Sequence, residues 1–554
     1  MSGEQKHLTK ANQNAGKRGL RRRDLLSGGA ALAGALPFGL ATWPAFGTEE
    51  APSVPPVGRL DDAYRVRMTA AAFQREQRSL ESSANGDEDA LPDYVAAYSK
   101  ALPHNQLGVV NPEAYALLLR ALRTGNPRDF DFIPRVGEVK LTNPQGGLGF
   151  NLIGPDPSAF SSPPAPRFKS AEQAMEMVEL YWQALARDIP FGEYGSHPLT
   201  IRAAEELRRL DTGVGTGRSH RPQSQGPATL FRGRNAGSLA GPYISQFLVK
   251  EIFYSPLPVE QKIRSAPAGH DHLDRYDPWL DIQNGAAGGP IALDAVPCFV
   301  RNGRDLAEYV HRDFTFQAAL TAGLILFKME ARPNPGNPYG ASRGQMGFAC
   351  FGSPYLLYLV AIATQAALTA CWYQKWMVHR RLRPEEFGGR LANDLAKRAS
   401  YPFHATLLDS AALGETLSLR ASALLSSSYP EGSPTHPSYP AGHAVVGGAG
   451  STVLKAFFDE TVVIPDPVVA GEDGISVKRY DGPPLTVGGE LDKLATNIGM
   501  GRCFAGIHWR SDIEAGLRLG EEVAISVLRE IKLSCHEPFS GFRFHRFNGE
   551  PVVA

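Results

Sequence analysis

The stretch from Tyr355 to Cys371 is apolar almost all round, broken only by Thr364, Gln365 and Thr369. A helix of that kind has no polar face to give to water, so it is predicted to be a buried core helix. The three polar breaks, and the basic segment that follows, argue against a membrane span; no stretch of the chain is clean enough for one. That segment reads Lys375-Trp-Met-Val-His379-Arg380-Arg381-Leu-Arg383-Pro384. Lys375, His379 and Arg383 stand four apart, which predicts one side of a continuous helix that Pro384 ends. A basic run is most simply a solvated face. Here, however, it continues a buried helix, and buried cations require an anionic partner.

Two further segments add to this. In His436-Pro437-Ser438-Tyr439-Pro440-Ala441-Gly442-His443, an Ala/Val/Gly-rich helix follows directly, which places His443 at a helix N-terminus. Unpartnered N–H groups there attract anions, and Gly442 lets a ligand approach the backbone. Gly447, Gly448 and Gly450 allow close helix packing. In the segment from Asn497 to Asp512, Arg502 and His508 are six apart, the wrong spacing for one helix face. They are therefore predicted to flank a turn at Gly506. Asp512, one helical turn beyond His508, is placed to hold the far ring nitrogen of that histidine. Taken singly, each histidine here is more often structural. Together the segments supply one Lys, two Arg, two His and a glycine amide, a donor set suited to a tetrahedral oxyanion such as phosphate or vanadate.

The remainder of the chain supports a mainly α fold of packed helical bundles with few short strands. Helical patterns run over 170–187, capped by Ser170, and over 305–330, 355–383, 390–427, 443–458, 491–501 and 511–533. Residues 212–228 and 265–305 read as irregular. Val462–Ile464, Val468-Val469 and Ile475–Val477 are candidates for a small hairpin. Lys+Arg and Asp+Glu are 57 each, so no nucleic acid or anionic membrane is implied as a partner. The five cysteines form no C-x-x-C pair, so the fold does not rest on a disulfide framework or a zinc site. At the N-terminus, Arg22-Arg23-Asp24-Leu25-Leu26 precedes an Ala/Gly/Leu stretch and Ala45-Phe46-Gly47, the pattern of a twin-arginine export signal. The organisation predicted is a signal over 1–47, a linker over 48–60, a helical region over 61–225 and a catalytic bundle over 226–554. The destination is the periplasm or the exterior.

The order Lys-x7-Arg-Pro, Pro-x-Gly-His, Arg-x3-Ala-Gly-x-His-x3-Asp resembles the vanadium-dependent haloperoxidases, which share a site with the class A acid phosphatases. Upstream, Ala186-Arg-Asp-Ile-Pro-Phe, Leu230-Phe-Arg-Gly, Gly241-Pro-Tyr-Ile-Ser-Gln-Phe and Gly303-Arg-Asp-Leu-Ala-Glu-Tyr-Val look like the algal bromoperoxidase branch. The resemblance covers roughly residues 60–545. It implies a vanadate cofactor, and hydrogen peroxide and a halide (bromide or iodide) as substrates. The product would be hypohalous acid or a halogenated organic acceptor, and the enzyme a homo-oligomer. It implies that His508 bonds vanadium and that Lys375, Arg383, Arg502 and the Gly442 amide hold its oxygens. His443 becomes the acid/base, and His436 and His379 shape the halide pocket. Asp313 falls where the family has a carboxylate paired with the second arginine.

One departure stands out. The family usually has Ser in Pro-Ser-Gly-His, donating to a vanadate oxygen, and this chain has Ala441. Loss of a hydrogen bond to a charged acceptor costs about 1.5–3 kcal/mol. Two alternatives follow from the same residues. One is a secreted acid phosphatase with His508 as phosphohistidine nucleophile, although phosphatases typically space Lys and Arg by x6. The other is an inactive relative that binds vanadate or phosphate.

Overall fold

A computed structural model describes residues 58–77, 81–211 and 226–554. The export segment, most of the linker and residues 212–225 of the expected loop lie outside the described residues. The helices include α1 (Arg59–Glu76), α2 (Ala171–Leu185), α3 (Gly303–Tyr309), α4 (Gln317–Lys328), α5 (Ser353–Tyr373), α6 (Pro384–Leu395), α7 (Gly442–Phe457), α8 (Val487–Phe504) and α9 (Arg510–Lys532). The start of α2 is the one expected: the Ser170 side chain accepts a hydrogen bond from the Gln173 amide at 3.2 Å.

A central helix is α7. It packs on α5, α8 and α9, and all its residues except His443 and Gly447 are buried. Small residues make this possible. A Cβ on Gly448 would stand 2.5 Å from the Leu517 carbonyl oxygen, and one on Gly520 would stand 2.0 Å from that of Val445. The α7 and α9 backbones therefore touch directly, which only glycine permits at these crossings. α5 contributes Leu356, Leu359, Val360, Ala363, Ala366, Ala367 and Ala370 to the same core.

Ser353–His379 is long and apolar enough to cross a membrane, with a mean hydropathy of 1.5 over its most apolar window. The expectation that no segment reaches that standard is thereby corrected. Half of that window is buried, where the helix packs on α7 and α9.

The expected continuous helix over 355–383 is also corrected. The helix widens to π geometry over Gln374–His379, and Arg380 turns into the left-handed region at φ 37°. Pro384 does not end this helix. It opens α6, with Arg383 as N-cap, where a missing N–H costs nothing. Lys375, His379 and Arg383 thus do not share a helix face. Two other long patterns break as well. The 305–330 pattern divides into α3 and α4, and the loop between them carries Asp313. The 390–427 pattern ends at Leu395 and resumes only as Ala405–Leu408 and Ala411–Arg420. Residues 265–305 hold the start of α3 and one short helix, Tyr276–Gln283, whose eight residues are too few for a clear period.

Strands are confined to three antiparallel two-stranded hairpins among the described residues. Val468–Ala470 pairs with Val477–Arg479, so the expected hairpin forms with its second strand shifted from Ile475–Val477 to begin at Val477. Val463 instead bridges to Thr486. Ile252–Tyr254 with Leu257–Val259, and Arg543–His545 with Pro551–Val553, are three-residue strands with too little alternation to be seen in advance.

Candidate active site

The sequence-predicted groups converge from the ends of helices. Lys375 comes from the π turn after α5, Arg383 from the N-cap of α6, Gly442 and His443 from the first turn of α7, and Arg502 from the last turn of α8. Gly506 (φ 81°) turns the chain, and His508 and Asp512 stand at the start of α9.

Three cations are buried here with no carboxylate. Lys375 is fully buried, and its Nζ donates to the Pro437 and Ser438 carbonyls at 2.7 Å each. The Arg383 guanidinium, also fully buried, donates to the His436 carbonyl at 2.9 Å and the Ile507 carbonyl at 2.8 Å. Arg502 donates to the Val310 carbonyl at 2.6 Å. None of the three makes an ion pair among the described residues. Buried cations elsewhere in the fold mostly do: Lys100 meets Glu385, Lys455 meets Asp492 and Arg510 meets Glu179, while Arg390 is held by the Val95 and Gly108 carbonyls. Burial, with Arg383 and Arg502 nearby, pushes Lys375 down to about 7. Burial likewise lowers Arg383 to about 10.

His508 faces this cluster in a defined tautomer. Arg383 can only donate, so the 2.9 Å contact from its Nη1 makes His508 Nε2 an acceptor. The ring proton is then on Nδ1, donated to Asp512 Oδ2 at 2.8 Å. Burial, reinforced by Arg383 and Lys375, holds His508 well below the usual imidazole range. The Nε2 lone pair thus points among cations, as a metal ligand or a nucleophile requires.

Asp512 is fixed in turn by groups the sequence reading did not single out. The Ser438 hydroxyl and the Trp509 amide donate to Oδ2. Arg381 donates to Oδ1 at 2.8 Å and reaches Gln173 and Glu176 of α2 at 2.7 and 3.0 Å. Arg381 sits between Arg380, which pairs with Glu88, and Arg383 in the site. Nothing local in the sequence distinguishes the three.

His443 is the solvent-facing member, with its side chain 29% exposed. Its Nε2 meets Asp313 Oδ1 at 3.0 Å. Asp313 therefore serves His443 here, and not Arg502, whose partners are Val310 and Tyr429. His436 Nδ1 lies 3.1 Å from Arg383, and its ring leans on Trp372 at 4.8 Å. Burial keeps His436 well below the usual imidazole range. Trp372, also unforeseen, stands beside Gly442, where a Cβ would meet it at 3.4 Å. His379 is not brought into the cage. Its ring hydrogen-bonds Gln374 at 3.2 Å, meets Tyr439 edge-on at 4.6 Å, and is lowered to about 3 by burial.

These residues fit a bound tetrahedral oxyanion. Lys375, Arg383, Arg502 and His443 all lie within electrostatic reach of His508, and Arg502 Nε is buried without a hydrogen-bond partner among the described residues. Ala441, at the N-cap of α7, offers no side-chain donor.

Comparison with known proteins agrees with this geometry. Residues 355–536 match the family model of the VCPO second helical-bundle domain. A vanadium-dependent bromoperoxidase of Ascophyllum nodosum is 35% identical, covering 90% of this chain and 93% of its own. One from Corallina pilulifera is 32% identical over 89% and 98% respectively. The homohexameric structure of a second Ascophyllum nodosum vanadate-dependent bromoperoxidase superimposes with a TM-score of 0.83 at 28% identity, covering 96% of this chain and 95% of that one. Similarity sustained over nine-tenths of the chain, in sequence and in fold, makes this protein a member of the vanadium-dependent haloperoxidases.

Proposed function

We propose that the protein catalyses vanadate-dependent oxidation of bromide or iodide by hydrogen peroxide, giving hypohalous acid or halogenated organic products. The observation that carries this reading is the set of three buried cations without carboxylates around the His508 Nε2 lone pair. His508 Nε2 would bind the metal, while Lys375, Arg383, Arg502 and the Gly442 amide hold its oxygens. Bound vanadate supplies a Lewis acid that polarises peroxide. The chain's own residues do the rest. Asp512 and Arg381 keep the His508 lone pair directed inward. Asp313, on His443 Nε2, leaves Nδ1 to take a proton from the incoming peroxide. Lys375 donates to the oxygen that the halide attacks, inside a cage where fixed charge replaces solvent. His436, with Trp372 against it, borders the space open to the halide, and His379 stands one layer behind.

The deciding experiment is vanadate-loaded protein assayed for bromination of a phenolic dye. Activity should require vanadate and vanish in His508→Ala. Phosphomonoester hydrolysis in place of halide oxidation would assign the site to the acid phosphatases instead. Vanadate binding with neither activity would leave a binding protein.

Ala441 predicts a second result. Ala441→Ser should tighten vanadate binding about tenfold, the lower end expected for a new hydrogen bond to a charged acceptor. Isothermal titration showing no gain would mean that the cage is already complete.

Assembly with further copies of the chain is part of the same reading. Phe150 is 88% exposed and Leu152 98% exposed, in a segment that follows a turn packed on α5, and Tyr358 of α5 is exposed beside the half-buried Ile362. An apolar surface of this kind calls for a cover, and the Ascophyllum nodosum relative is a homohexamer. Phe150→Asp with Leu152→Asp should reduce the mass measured by light scattering. A wild-type chain that is already monomeric would refute the interface.

Residues 1–47 are read as a twin-arginine signal that directs the enzyme out of the cytoplasm. Arg22→Lys with Arg23→Lys should trap the protein in the cytosolic fraction; unimpaired export of that variant would rule the signal out.

A further inference from the structure

Arg502 is held differently from the other two cations. Lys375 and Arg383 share the carbonyls of 436–438. Arg502 instead takes the Val310 carbonyl, just past α3, and lies against Tyr429, with Cζ 5.3 Å from the ring centroid and Nη1 3.3 Å from the hydroxyl.

Tyr429 is itself fully enclosed, 1% exposed, and its hydroxyl donates to the Ala307 carbonyl at 2.6 Å. The His311 ring lies flat on it, 3.8 Å away and 8° from parallel. This leaves Arg502 the opposite face and the hydroxyl edge. His311 is gripped at both nitrogens: Nε2 by Glu431 at 2.6 Å and Nδ1 by Glu308 at 3.4 Å. Burial pulls the His311 imidazole down, yet the hydrogen bonds to the two glutamates outweigh it and raise it above its ordinary value.

We propose that Tyr429 is a positioning residue that aims the Arg502 guanidinium at the oxyanion, with His311 as the brace that stops the ring from turning. The proposal rests on the vanadate reading above. An arginine stacked on a fixed ring retains less freedom to lose when the anion arrives, so the stack acts through affinity. It also makes the hold on one side of the anion depend on the segment around α3, which supplies Ala307, Glu308, Val310, His311 and Asp313.

The test is calorimetric titration of the full apoprotein with orthovanadate, with inorganic phosphate as a second probe. Tyr429→Leu should weaken vanadate binding about thirtyfold, the scale of a desolvated cation–π contact. Tyr429→Phe keeps the ring, loses the bond to the Ala307 carbonyl and the long contact with Arg502, and should fall only about threefold. His311→Ala should fall between the two. Equal affinity in Tyr429→Leu and wild type would overturn the proposal, as would Tyr429→Phe binding as weakly as Tyr429→Leu. If circular dichroism shows Tyr429→Leu unfolded, His311→Ala decides: wild-type affinity in that variant overturns the brace. A wild-type chain that binds neither anion would refute the vanadate reading itself, a result distinct from all of these.

Discussion

The structure depends on keeping positive charge inside without negative charge to match. A buried cation is normally paired, because its desolvation is repaid only by a carboxylate or a full set of acceptors. This fold follows that rule at Lys100, Lys455 and Arg510 and departs from it at Arg390, singly, and at Lys375, Arg383 and Arg502, as a cluster. Peptide carbonyls carry the charge in place of carboxylates, which leaves the cationic field intact for a small anion. A carboxylate among the three cations would stabilise the empty fold and compete with the ligand. The one acid in contact with His508, Asp512, has its oxygens taken by His508, Ser438, Trp509 and Arg381.

Such a cage needs a rigid frame, and the helices provide one at their ends. Each group sits where a helix starts or stops, so its backbone is held by regular structure on one side and free to turn on the other. The direct backbone contact between α7 and α9 brings two of these ends together: the Ala441 amide donates to the Asp512 carbonyl at 2.9 Å. The His443 end and the His508 end of the site are therefore fixed to each other through main chain and not only through side chains.

Much of this was legible in the sequence where the determinants were local. The turn at Gly506 and the His508–Asp512 pair followed from spacing alone, and α7, α8 and α9 lie within a few residues of their periodic patterns. The convergence of Lys375 and Arg383 was foreseen on geometry the chain does not use, because periodicity does not reveal a π turn followed by a left-handed Arg380. Arg381 was invisible as a brace because its partners lie over 200 positions away in α2. Tyr429 and Trp372 read as ordinary core aromatics, and only packing shows which cation or imidazole each one touches. Asp313 was placed near the site by resemblance, but its partner, His443, emerged only from the folded loop between α3 and α4.

The bond from Arg381 to Gln173 and Glu176 bears on modularity. The haloperoxidase bundle matched over residues 355–536 contains Lys375, Arg383, Gly442, His443, Arg502, His508 and Asp512, and so looks self-sufficient. Excised at those limits, it would leave Arg381 only Asp512 and Ser511 as partners and expose the layer that α2 covers. The N-terminal half is thus no dispensable accessory to a transplantable catalytic cassette. Its contribution reaches His508 through two intervening side chains, so recombination within the family would have to exchange α2 and the bundle together.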